Sequence, residues 1–253
     1  MTTNPRLLPM RPVLSLAAGV LLSLAGCGGA APDGAQATAS ATPGATQPAA
    51  AEPAARTPAG GAGGDFASRT GELTNPDDAT MVFLYYDLAG LPPPLDDWTE
   101  QNPRVRFAPG PDKAARRAEV HAQLAAAQRA VAGVGVLHLT MQANLSDYDP
   151  AYGEFTVRAL SPSSQVSFKA LDQQVVLGFD NALDAQSWAV PAGEAQAIRD
   201  RLGWNGAQID LTLKIDKVLP GPQGGTLVAR VLRYDLREAS GNTLLGHVEV
   251  APH

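Results

Sequence analysis

Residues 28–64 set the limit on what this chain can fold into. The stretch is almost entirely Ala, Gly, Pro, Thr, Ser and Gln, and it has no aromatic or branched aliphatic side chain. Ordering its backbone would cost roughly 1–2 kcal/mol per residue with nothing apolar to bury in return, so a disordered linker is expected. Folding is thereby confined to residues 65–253, an ordinary length for one domain. With 45% hydrophobic residues overall, that remainder can build a proper core.

Upstream, Arg6 and Arg11 precede an apolar run over residues 13–25 that is too short to span a bilayer comfortably and ends in small residues, the pattern of a signal peptide. Cys27, the one cysteine of the chain, follows directly, which excludes an internal disulfide. Leu24-Ala25-Gly26-Cys27 resembles the lipobox of bacterial lipoproteins, an aliphatic and two small residues before the modified Cys. The resemblance implies a signal peptide over 1–26, cleavage after Gly26, a diacylglycerol on the Cys27 sulfur and a palmitate-type acyl chain on the new amino group. Several chains, at about 0.8 kcal/mol per buried methylene, anchor stably where one would be marginal. Gly28 and Gly29 follow the Cys where an inner-membrane lipoprotein tends to carry Asp, so the resemblance implies outer-membrane sorting with the domain facing the periplasm. A host without an outer membrane would hold it on the cell membrane. As flexible coil, the linker reaches about 35 Å end to end.

The formal charge of −6, with no polybasic run, argues against nucleic acid and against electrostatic adhesion to membranes. The membrane partner is expected through the lipid on Cys27 alone.

Within 65–253, Asn75-Pro76 reads as the start of a helix over 76–89, with Asn75 as cap and Pro76 at the first helical position, and Pro92-Pro93-Pro94 beyond its end. Residues 95–101 form a short helix carrying Trp98. Val120, Leu124, Ala127 and Val131 mark the core stripe of a helix over 111–132. Beyond Gly133 the period becomes two: strands are expected over 134–141, 155–160, 166–168 and 175–179, and a helix over 191–202. Residues 208–217 alternate most strictly, with Ile209, Leu211, Leu213 and Ile215 on one side and Asp210, Thr212, Lys214 and Asp216 on the other. A loop over 220–225, a strand over 226–236, a turn at 239–242 and a strand over 243–250 complete a three-strand meander. The order suggests an α+β fold, N-terminal helices packed on a mainly antiparallel sheet. The segment 144–157 is similar to parts of uncharacterised bacterial envelope domains, from which no residue role is transferred.

Asp147, Asp149 and Glu154 could gather oxygen ligands for a cation, but Ala151 stands where a calcium loop has its third acid and Gly153 comes one residue late. A polar turn is the plainer reading. Asp96 and Asp97 beside Trp98 could form an acidic site with an aromatic platform, although acids at a helix start are explained by capping. No Gly-x-Ser-x-Gly elbow is present, and Cys27 is consumed by lipid. His121, His138 and His247 show no paired-ligand spacing, so no metal and no cofactor is expected. Trp188 and Trp204 flank the helix over 191–202, and core packing is the default for them and for Tyr85 and Tyr86. These features favour a non-enzymatic, lipid-anchored binding or assembly module for an envelope protein or glycan. The alternative is an envelope hydrolase acting on glycan or peptide through carboxylates.

Overall fold

Successive side chains of a strand point to opposite faces, so the alternation over residues 208–217 predicts one dry and one wet surface. The computed structural model, which describes residues 65–203 and 206–251, has this form. Residues 1–64, on which the expected signal peptide, Cys27 and the expected linker fall, and Trp204 lie outside the described residues. Ile209, Leu211, Leu213 and Ile215 are buried, and the residues between them are half-buried.

The chain runs β1 (Gly71–Thr74), α1 (Asp78–Leu88), α2 (Leu95–Gln101), α3 (Pro103–Arg106), α4 (Gly110–Ala130), β2 (Val134–Gln142) and β3 (Glu154–Thr156). It continues through β4 (Gln165–Ala170), β5 (Gln173–Phe179), α5 (Ala182–Ala185), β6 (Ser187–Ala189), α6 (Ala192–Leu202), β7 (Ala207–Gly221), β8 (Gly224–Glu238) and β9 (Leu244–Glu249). Seven strands form one mixed sheet in the order β1-β2-β7-β8-β5-β4, with β9 also on β8, and β3 pairs with β6 separately. The fold is mixed α+β. The expected meander β7-β8-β9 is antiparallel, but β1 joins β2 and β5 joins β8 in parallel. Such pairs require long crossovers, here through α1–α4 and through α5–β7.

The expected stack of N-terminal helices on the sheet does not form. Helix α1 packs against β4, β5 and β8, whereas α2 and α3 pack against α4. Met81, Val82, Phe83, Leu84, Tyr85 and Leu88 are all buried. A helix apolar on nearly every side has to be enclosed, and α1 is held between strands and α4. Its cap also differs from expectation: Asp77 accepts from the Thr80 amide at 2.8 Å. Asn75, at φ 45°, instead accepts from the Thr140 amide at 2.8 Å and extends the β1–β2 pairing.

Two further segments depart from the sequence pattern. Residues 158–160 form a 3₁₀ turn rather than continuing β3. Strand β7 extends through Pro220 and Gly221, leaving only Pro222-Gln223 as the turn into β8. Gly224 permits this at φ 114°, where a Cβ would collide with the Gln174 carbonyl.

The outer edge of β8 is filled in three pieces. Residues 224–229 pair with β5 and residues 233–237 pair with β9. Between them the buried Asn181 side chain imitates a strand, donating to the Val231 carbonyl and accepting from the Val231 amide, both at 2.9 Å. Asn181→Ala would orphan both groups in the core and should cost about 2 kcal/mol or more; Asp77→Ala, which removes an exposed cap, should cost about 1 kcal/mol. Urea unfolding of both variants checks the ranking, and equal losses would contradict it.

Candidate functional site

The face of the sheet away from the buried core gathers titratable groups from five strands. Register explains how. Thr74, His138, Thr212, Arg233 and Glu249 are successive cross-strand partners from β1 to β9, and Thr140, Asp210, Asp235 and His247 form the neighbouring row. Residues two apart in a strand share a face, so both rows point outward together.

A β-bulge decides one member of this set. Thr212 pairs with Arg233 but Leu213 pairs with Val231, leaving Leu232 as the extra residue of β8. Strict alternation from the buried Val231 would turn Arg233 into the core. With the bulge, Leu232 and Arg233 are both exposed and the alternation resumes at the buried Tyr234.

Hydrogen bonds knit the rows. Nε2 of His138 lies 3.0 Å from Glu72 Oε2, and its Nδ1 lies 3.4 Å from Thr212 Oγ1. Thr140 Oγ1 donates to Asp210 at 2.7 Å. Arg237 spans two carboxylates, donating to Asp210 at 2.9 Å and to Asp235 at 3.1 Å. His247 sits between Asp235 at 2.6 Å and Glu249 at 3.0 Å. The Asp235 hydrogen bond, then that of Glu249, raises the His247 pKa above the usual imidazole value, and the same His247 contact holds Asp235 below the usual carboxylate value. Between the rows is a concavity of about 340 Å³ lined by His138, Asp210, Thr212, Arg233, Asp235 and His247.

The residues singled out from sequence lie elsewhere. Asp149 accepts from the amides of Ala151 at 2.8 Å and Tyr152 at 3.4 Å, closing a turn whose backbone pairs Asp149 with Glu154. Glu154 accepts from Ser187 at 3.3 Å, and Asp147 is exposed at the rim of a cleft that also takes in Gln142 and Arg199. Among the described residues, no group of three or more His, Cys, Asp or Glu is placed to hold a metal ion. Trp98 is buried edge-on to Phe83 and Tyr86, with centroids at 5.5 and 5.4 Å, so it offers no solvent-facing platform. Asp97 is exposed, and Asp96 lies 3.5 Å from His121 in a groove between α2 and α4. Tyr85 and Trp188 pack in the core, the latter stacked on Phe155 at 5.3 Å.

His138 and His247 read as ordinary sheet residues in sequence, and only the non-local register joins them. The wet side of β7 was the available signal. No family model, no curated protein and no solved structure matches the chain.

The two shifts have opposite pH signs. His247, raised in the fold, stabilises below its unfolded value of about 6.5 and loses that contribution as pH rises through its folded pKa. Asp235, lowered in the fold, stabilises above about 3.8 and loses that contribution as pH falls through its folded pKa. The deficit of His247→Gln relative to the unsubstituted protein should therefore be largest between about pH 4 and 6.5 and shrink above that range. Thermal unfolding across pH measures this, and a deficit independent of pH would refute the coupling.

Proposed function

We propose that this chain is a lipid-anchored protein of the bacterial envelope, sorted to the outer membrane, whose domain is a non-enzymatic binding or assembly module. The anchor is the lipid on Cys27 that the lipobox resemblance implies, and residues 28–64 serve as its tether. The observation that carries the reading for the domain is the one-sided burial of the sheet. One face closes on the core, while the other presents polar groups across β1, β2, β7, β8 and β9. A surface of this kind suits a polar partner such as an envelope protein or a glycan. The hydrolase alternative relies on Asp147, Asp149 and Glu154, and the carboxylate of Asp149 is engaged in its own turn.

Photo-crosslinking of the full lipidated chain in cells tests this reading. A crosslinker placed at Thr212, on the open face, should capture a specific protein or glycan. One placed at Asp97, on the helical side, should not, and Cys27→Ala should abolish capture by releasing the domain from the membrane. Equal capture from both positions, or capture indifferent to Cys27, would overturn the proposal. Unchanged membrane partitioning of Cys27→Ala would overturn the anchor by itself.

A further inference from the structure

Lys214, Arg230 and Arg237, the basic side chains of β7 and β8 that stand around Arg233 on the open face, are committed. Lys214 donates to the Arg69 carbonyl at 2.5 Å. Arg230 lies 3.2 Å from Asp216 and 3.7 Å from Asp180. Arg237 joins Asp210 and Asp235. Arg233 has no hydrogen-bond or ion-pair partner among the described residues, although Glu249 is its neighbour across the β8–β9 ladder. Glu249 is drawn instead to His247.

The acids around the concavity are matched. Glu72 faces His138, Asp210 faces Arg237, and Asp235 is shared by Arg237 and His247. The unmatched donors at this place belong to one guanidinium, and the Leu232 bulge is what turns it outward. Bulges that re-aim a side chain are over-represented beside functional sites.

We infer that the concavity over Thr212 and Arg233 binds a monoanionic carboxylate, which Arg233 holds through its forked donors with the Thr212 hydroxyl and His138 beside it. A guanidinium fork matches the two oxygens of a carboxylate and leaves no charge unpaired. Four carboxylates stand nearby (Glu72, Asp210, Asp235 and Glu249), and they would repel a polyanion more strongly than a single negative charge. A volume of about 340 Å³ admits a small acid or the carboxyl end of a peptide, but little more. The inference rests on the open face being the binding surface, and it adds the chemistry of the ligand.

The test uses the full chain in detergent with ring-labelled histidine, followed by NMR as acetate, N-acetylalanine, N-acetylalanine amide or inorganic phosphate is added. Both carboxylates should move the His138 and His247 signals saturably while His121 stays still, and the amide and phosphate should bind at least about tenfold more weakly. N-acetylalanine binding more tightly than acetate would identify a peptide terminus, and equal binding would identify a small free acid. Arg233→Gln should weaken the response about tenfold or more with thermal stability unchanged, and Arg233→Lys, which keeps the charge but loses the fork, should fall between. Binding of the amide equal to that of the acid, an unaltered response in Arg233→Gln, or no response to either carboxylate would overturn the inference. If these titrations fail while the Thr212 crosslinker still captures its partner, the carboxylate inference falls and the binding face remains.

Discussion

Strand β8 is the element on which the rest of the structure depends, because both of its backbone edges are occupied along nearly their whole length. One edge belongs to β7, and the other is divided among β5, the Asn181 side chain and β9. A buried strand cannot leave amides or carbonyls unpaired without a penalty comparable to a lost hydrogen bond, so the gap between β5 and β9 had to be closed by something. Asn can do this in one residue because its amide offers a donor and an acceptor spaced like those of a peptide group. Through β7 the same strand holds β2 and β1, and through β5 it holds β4 and the place where α1 packs.

Burial on one face and exposure on the other then follow from the pleat. On the inner face α1 is enclosed between strands and α4, and Phe155, Trp188 and Ile198 fill the core alongside it. Gly246 of β9 is matched to that filling, since a Cβ there would come within 2.6 Å of the Trp188 ring. On the outer face, isolated exposed ion pairs would contribute little. Arg237 and His247 each touch two carboxylates, however, so the groups restrain one another's rotamers and tie β9 to β8. The network serves to fix the geometry of the surface more than to stabilise the fold.

Much of the architecture was legible locally. The alternation of β7, the helical stripe of α4 and the turn before β9 each carry their signal in adjacent residues. The misreadings have non-local causes. Residues 71–74 are too few to register as a strand until β2 lies beside them. Pro220 and Gly221 resemble a loop, yet they remain in β7 because Gly224 and Gly225 pair with them. Val82 and Phe83 lie off the face shared by Met81, Leu84, Tyr85 and Leu88, and only the enclosure of α1 explains their burial. The site was less legible than the fold for the same reason. His138 and His247 are separated by more than one hundred residues and come to line one concavity through three strand registers, none of which composition or spacing encodes. Asp149 illustrates the opposite case, a residue whose local turn role was readable and is the one it performs.

In the proposed reading, an outer face of mutually paired charges bears on discrimination between partners more than on affinity. A partner that pressed an apolar surface onto it would desolvate Arg237, His247 and their carboxylates without replacing their water, and a mismatched charge would meet repulsion. Selectivity of this kind is built from penalties against wrong partners as well as from contacts to the right one. Arg233 would supply the contact. Because its donors are not already spent on Glu249, a carboxylate reaching it need displace only water, and the ordered groups around it need not rearrange. A domain held beside a membrane by lipid would also require less intrinsic affinity than one that must find its partner from solution, because tethering raises the effective concentration of the site near whatever shares that membrane.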